Sequence, residues 1–377
     1  MRVLIGGPPY GCKNIGDEAI LSSIIYSLRK IEKGIGKKIN ITVLTADLKN
    51  TEKRFGVSTT EAHGKFNLMR EIIRTDVLIC GGATILSDCP RYALKLVKYA
   101  HLMGKKVIIY GVGMNSINDP DMKRFIRDNS NKANVITVRD KDVKSRLLEY
   151  GVTVPVFATA DPAVLIEPAK KERVNEILSI NNIPYEASIV GFGISGEEDV
   201  RHITPVEEFA KAIDFLIEQY GMYVLFIPTN FREDQDIPLM QAVLKQMKIP
   251  EGAQILNEFM LPEDLIGLVS RTKLIISSRL HLLIFGVNAG VPVIGVSRGE
   301  KVTSFVSYLG EKPISSVEEF TLDRAKPYFE RYINHNQEYK KIIENAHLKM
   351  YERAKQNEDI LKVLLEGEIK DYLKLHI

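Results

Sequence analysis

Predominantly apolar runs at 2–5, 41–44, 77–80, 107–110 and 135–138 are separated by segments of helical length. They do not alternate apolar with polar positions, as a strand with one wet face does, so they predict strands covered on both faces. From Asp17 the apolar residues Ile20, Leu21, Ile24, Ile25 and Leu28 recur at helical spacing. The chain therefore opens as strand, glycine-bearing loop, helix. A second helical segment, 92–102, lies between the third and fourth runs. Buried strands alternating with helices define a parallel, doubly wound α/β sheet.

After residues 161–171 the pattern starts again, with strands expected at 189–192, 224–227, 254–256, 274–276 and 293–296. Helices are expected between them at 205–219, 233–247 and 262–269. The chain thus reads as two Rossmann-like domains, 1–165 and 166–320. From 321 to 377 it turns into charged helical sequence with Leu, Ile and Tyr at helical intervals, expected to pack back on the domains. In sheets of this kind ligands bind outside the carboxyl ends of the strands. Two facing domains are expected to enclose a cleft lined by the loops that follow strands.

A length of 377 residues exceeds one compact core, and 45% hydrophobic with 26% charged residues is the composition of a soluble globular protein. The 51 basic and 48 acidic residues leave a net charge of +3. That balance excludes nucleic-acid binding by bulk charge, and any anion must be held locally. Cys12, Cys80 and Cys89 form no C-x-x-C pair and leave one over, which suits a reducing cytoplasm and gives no zinc motif. Residues 1–9 lack the apolar stretch of a signal peptide, and the greasy region 282–296 is interrupted by Asn288, Gly290 and Pro292. A cytoplasmic protein without a metal site is the expectation.

The chemistry-bearing residues cluster after strands. The loop 6–18 is glycine-rich, but it has no G-x-G-x-x-G, and Asp17 and Glu18 at the helix start would repel a pyrophosphate. With Asn14 it suits a neutral, hydroxyl-bearing ligand; equally, Asp17 serves as a helix cap. Gly81 and Gly82, with Asp88 further on, and Gly111 and Gly113 read either as tight turns or as places where a ligand approaches backbone. At Ser277, Ser278, Arg279 and His281 a strand gives way to a helix within a few residues. Free N–H groups of a helix N-terminus, a bidentate guanidinium and an imidazole there make a small-anion site, against the plainer reading of a capped helix with a packed His. Arg298 and Lys301 at the next strand end are either further cations for that site or surface charges. Arg139 is expected to pair with Asp140 or Asp161, a direct ligand role being the alternative.

Taken in order, N-I-G-D-E-A-I-L at 14–21, G-G-A-T-I-L-S-D at 81–88, G-V-G at 111–113, V-R-D at 138–140, T-A-D-P-A at 159–163, S-x-R-L-H at 277–281 and A-G-V-P-V-I-G-V at 289–296 resemble the polysaccharide pyruvyltransferase family. The resemblance implies a GT-B-like pair of domains. It also implies transfer of the enolpyruvyl group of phosphoenolpyruvate to a sugar, closing a pyruvate ketal on two hydroxyls and releasing phosphate. Phosphoenolpyruvate is then the donor substrate and no cofactor is implied. Arg279 and His281 inherit the family's donor-binding role, joined by Ser277, Ser278, Arg298 and Lys301 in the second domain. Asn14, Asp17, Glu18, Gly81, Gly82, Asp88, Gly111 and Gly113 in the first domain are assigned to the acceptor. Arg298 stands where the family often has an aromatic before the Lys, and Gly299 and Glu300 stand where Asp-Pro is common.

The chemistry requires an acid and a base. His281 is the candidate acid and Asp17 the candidate base. The rival reading is a GT-B glycosyltransferase with a nucleotide-sugar donor, whose diphosphate would use the same helix N-terminus. A glycan or lipid-linked oligosaccharide is the expected acceptor. Lys340, Lys341, Lys349, Arg353, Lys355, Lys362, Lys370 and Lys374 then form either a basic face toward the inner membrane surface or a solvated helix face.

Overall fold

The structure is a computed structural model describing residues 1–372 apart from 9, 62–64, 83, 88–90 and 370. Of the sequence readings, Asp88, Cys89, Lys370 and Lys374 lie outside the described residues. The chain divides into two compact units. The first comprises residues 1–12, 16–165 and 350 onward, and the second comprises 13–15 and 166–349.

The first unit holds seven strands: β1 (Arg2–Gly6), β2 (Asn40–Thr45), β3 (Ser58–Glu61), β4 (Val77–Gly81), β5 (Lys106–Val112), β6 (Val135–Val138) and β7 (Val156–Ala158). They pair in the order β3-β2-β1-β4-β5-β6-β7, all parallel. Parallel neighbours cannot be joined by a tight turn, so each strand is followed by a crossover, such as the Ile15–Ile35 helix after β1. Leu4, Leu78, Ile109 and Ile136 point into one core face together with Leu96 and Val97 of the Arg91–Leu102 helix. The all-apolar character of these strands follows from cover on both faces.

The second unit repeats the plan with β8 (Ile189–Gly193), β9 (Tyr223–Phe226), β10 (Ala253–Ile255), β11 (Thr272–Ser277) and β12 (Val293–Gly295), in the parallel order β10-β9-β8-β11-β12. Its core is aromatic. Phe192 meets Phe209 and Phe226 edge-on, and Phe209 stacks on Phe320 with ring centroids 4.0 Å apart. The Leu322–Asn334 helix adds Ala325, Phe329 and Tyr332 to that core. The long Asn336–Glu366 helix supplies residues up to 349 to the second unit and from 350 to the first. In the first unit Asn357 meets the Thr159 hydroxyl at 2.8 Å, and Arg353 donates to the Thr159 carbonyl at 2.5 Å. Arg353 is thereby tied into the fold rather than presented with the other helix cations.

The two strands absent from the hydropathy reading, β3 and β7, are both edges. β3 reads Ser-Thr-Thr-Glu and β7 is three residues long, directly after Pro155. An edge strand needs little apolar surface, so it leaves no hydropathy signal. In each sheet the chain order reverses once, between β1 and β4 and between β8 and β11. These switch points are where ligands bind in open α/β sheets.

Candidate functional site

In the second unit the loops after β8, β9 and β11 converge on one carboxylate. Asp236, the first residue of the Asp236–Gln246 helix, is fully buried. One oxygen accepts from the Gly196 N–H at 3.1 Å, the other from the N–H groups of Thr229 at 3.0 Å and Asn230 at 3.1 Å. Arg279 closes the set, with Nε 3.0 and 3.1 Å from the two Asp236 oxygens and Nη2 also on Asp236. A buried carboxylate is tolerable only when paired and hydrogen-bonded, and this one is both.

The remaining Arg279 nitrogen, Nη1, donates to Glu197. Glu197 also takes Arg298, whose Nη2 lies 2.5 Å from its second oxygen and 2.9 Å from Asp199, while Arg298 Nη1 donates to the Ser195 hydroxyl at 2.9 Å. The guanidinium of Arg279, the residue expected to grip a ligand, is held by two carboxylates of the protein. Ser277 and Ser278 are likewise taken up by the turn. The Ser277 hydroxyl accepts from the Arg279 N–H at 2.9 Å, and the Ser278 hydroxyl accepts from the Ser195 N–H at 2.9 Å. Short side chains at a strand-to-helix junction bond adjacent backbone more readily than a distant ligand. Arg279 itself occupies the N-cap position of the Leu280–Asn288 helix without a side-chain capping bond. His281 lies in the first turn, partly buried, its ring 6.4 Å from that of Phe285. Lys301 lies in the first turn of the Glu300–Tyr308 helix.

Asn14, assigned to the acceptor, belongs to the second unit. Residues 13–15 form a backbone bridge between Asn14 and Asn230, with Ile15 N–H to Thr229 O at 2.9 Å and Phe231 N–H to Lys13 O at 3.0 Å. Asn14 therefore adjoins the loop whose N–H groups hold Asp236. Hydrogen bonding of backbone to a distant strand end carries no local sequence signature.

Burial alone would raise the Glu197 carboxyl, but the charge of Arg279 and the charge and hydrogen bond of Arg298 outweigh it and hold it at about 2. Its folded-state value lies below the ordinary 4.5. The stability this ionisation contributes is complete above that ordinary value and is lost as pH falls through about 2. The melting temperatures of the wild type and Glu197→Gln are expected to differ at neutral pH and to converge across that acid window. A gap that stays constant down to the bottom of the window would contradict the pairing.

In the first unit, Glu18 accepts from the Gly11 N–H at 2.7 Å and lies 3.7 Å from Arg54. Burial pushes its carboxyl up, against the opposing Gly11 bond and Arg54 charge. Asp17 beside it is also buried. Tyr10, which the sequence reading passed over, donates to Gly81 O at 2.7 Å. Burial first, then the nearby Asp17, Cys80 and Glu18, hold its phenol protonated. Arg139 lies 3.6 Å from Asp161 and 3.9 Å from Asp140, as expected, and its guanidinium covers Gly113.

The glycines approach the protein's own side chains. Gly82 has φ +76°, and a Cβ there would stand 2.2 Å from Ile20 Cγ2; Gly111 has φ +60°, with Pro162 Cγ at 2.4 Å. Gly82→Ala is expected to cost about 1–3 kcal/mol in denaturant unfolding through overpacking and the left-handed φ. An unchanged midpoint would show that the turn has room against Ile20 of the Ile15–Ile35 helix. Among the described residues no group of three or more His, Cys, Asp and Glu side chains is arranged to hold a metal ion.

Two parallel doubly wound sheets, each with polar loops at its switch point, define an α/β protein of the GT-B class, and solved structures of that class match along nearly the whole chain. The chain belongs to the polysaccharide pyruvyl transferase family, whose pattern matches residues 14–300. Among similar solved structures are the UDP-GlcNAc 2-epimerase of Neisseria meningitidis bound to UDP-GlcNAc (14% identity, TM-score 0.65, 97% of this chain and 100% of that one) and S. aureus MnaA with UDP (11%, 0.69, 97% and 97%). A glycosyltransferase from Rickettsia africae is similar at 15% identity and a TM-score of 0.62, covering 97% and 98%. At these identities the likeness is one of fold. No curated protein matches the chain in sequence. Among the described residues no helix is long and apolar enough to cross a membrane.

Proposed function

We propose that the protein transfers the enolpyruvyl group of phosphoenolpyruvate to a sugar of a polysaccharide or lipid-linked glycan precursor, forming a pyruvate ketal and releasing phosphate. The observation that carries this reading, beside the family, is the convergence of Arg279 and Arg298 on a single carboxylate, Glu197. Two guanidiniums sharing one carboxylate suit the carboxylate or phosphate of the donor.

In the proposed reaction His281 protonates the donor's methylene carbon, giving an oxocarbenium-like centre. A sugar hydroxyl attacks it and passes its proton to Asp17. Phosphate then leaves, and the second hydroxyl closes the ketal with loss of its own proton. Arg279 and Arg298 hold the donor anion, with Lys301 beside them. Asp17 and Glu18, with the loops at Gly81, Gly82, Gly111 and Gly113, are assigned to the acceptor. Asp17→Asn is expected to lower turnover by roughly 10²-fold or more as the loss of a general base; full rate in that variant would remove the assignment.

The donor is tested by calorimetric titration with phosphoenolpyruvate of the wild type and Arg298→Ala. Loss of a charge-assisted bond is expected to weaken binding by about tenfold or more. The nucleotide-sugar alternative draws on the UDP-bound neighbours and is tested in parallel by thermal shift, since a ligand of the folded state raises Tm. Stabilisation by UDP or GDP sugars without stabilisation by phosphoenolpyruvate would favour a glycosyltransferase. Peripheral contact with the cytoplasmic membrane face predicts co-flotation with anionic liposomes.

A further inference from the structure

The second-unit cluster contains two guanidiniums, Arg279 and Arg298, and three carboxylates, Glu197, Asp199 and Asp236. With all five ionised these paired groups sum to one net negative charge, and the Arg201 guanidinium lies beside them on the Gly196 carbonyl at 2.9 and 2.8 Å. Both guanidiniums are already engaged by these carboxylates, so an anion can reach them only where one carboxylate gives way. Asp236 is not the one. It is fully buried and held by three backbone N–H groups as well as by Arg279. Asp199 pairs with Arg298 and its side chain is 61% exposed, so its departure would leave Arg279 still engaged. Glu197 alone touches both guanidiniums, one through each oxygen, and its side chain is 35% exposed where that of Asp236 is 0%.

We propose that Glu197 is a built-in anion surrogate: it occupies the Arg279–Arg298 position in the unliganded protein, and an anionic donor binds only by displacing it. The residue is placed for this. It follows β8 at the switch point, in the loop of Ser195 and Gly196, and precedes a single helical turn, Glu198–Arg201. Asp236 keeps the inner face of Arg279 fixed while the outer nitrogen, Nη1, changes partner. With Glu197 swung out, the remaining four groups balance to zero, and moving the exposed Asp199 as well leaves a net positive site. Ligands carrying one weakly held charge cannot compete with a carboxylate that bonds both guanidiniums. Those carrying a phosphate or paired anionic groups can. Glu197 would thus set specificity at the cost of affinity, because the apparent affinity falls by the fraction of protein in which the site is open.

This inference rests on the donor site proposed above, and the experiment separates the two. Titration calorimetry at fixed ionic strength measures binding of inorganic phosphate and of phosphoenolpyruvate to the wild type, Glu197→Gln and Glu197→Ala, with Tm recorded for each. Both variants are expected to bind inorganic phosphate at least about tenfold more tightly than the wild type, even though their Tm falls. A merely structural Glu197 would instead lower Tm and weaken binding together. If the wild type binds phosphoenolpyruvate and the variants bind neither probe more tightly, the surrogate is overturned and the donor reading stands. If the variants gain phosphate affinity while no protein binds phosphoenolpyruvate, the surrogate stands and the donor reading falls. If no protein binds either probe, both are overturned. Should Glu197→Ala fail to fold, the isosteric Glu197→Gln carries the comparison.

Discussion

Asp236→Ala is expected to destabilise the protein by about 3–5 kcal/mol, the cost of breaking a buried ion pair by removing one partner. The carboxylate is fully buried, and its loss strands the N–H groups of Gly196, Thr229 and Asn230 and leaves Arg279 with Glu197 as its remaining carboxylate. Against a total stability of roughly 5–15 kcal/mol this is a large fraction. Asp236→Asn preserves the volume but points an NH₂ group at donors, so it is expected to rescue little. Urea unfolding measures both. Asp323→Ala is the control, since its pair with Lys326 is 90% exposed on the Asp side and is expected to matter by less than about 1 kcal/mol. A loss for Asp236→Ala no larger than that of the control would mean that the three loops are held by something other than this carboxylate.

His281→Ala is expected to lower kcat by about 10²–10⁴-fold, the usual worth of a positioned general acid. Phosphoenolpyruvate binding should change far less, because Arg279 and Arg298, the groups proposed to hold the donor, are untouched. The measurement is phosphate release from phosphoenolpyruvate in the presence of a glycan acceptor, alongside calorimetric Kd values. Turnover within a few-fold of wild type would end the assignment. A matching loss of binding and turnover would make His281 a donor ligand instead. His281 is partly buried in the first turn of the Leu280–Asn288 helix, so the Tm of the variant accompanies the kinetics.

The central strands were legible because a strand covered on both faces has to be apolar, and 77–80, 107–110, 189–192 and 274–276 all lie within observed strands. The pairing of Arg139 with Asp161 was legible too, since both sit at adjacent strand ends. Asp236 was not. In sequence it is an ordinary acidic residue at a helix start, and its partner Arg279 lies 43 residues away. Glu197 reads as one of three consecutive acids, Glu197-Glu198-Asp199, with nothing to distinguish it from a solvated surface run.

Periodicity, glycine placement and the ordered motifs are properties of short stretches of chain. They determined two doubly wound sheets, the strand ends where polar loops gather, and the family. Which charges neutralise one another is a property of distance in space. The tertiary structure alone decided that Arg279 is held by Asp236 and Glu197, that Asn14 pairs with Asn230, and that Gly82 and Gly111 make room for Ile20 and Pro162. Parallel crossovers bring loops distant in sequence side by side at the switch point, and only there does a guanidinium acquire its partners.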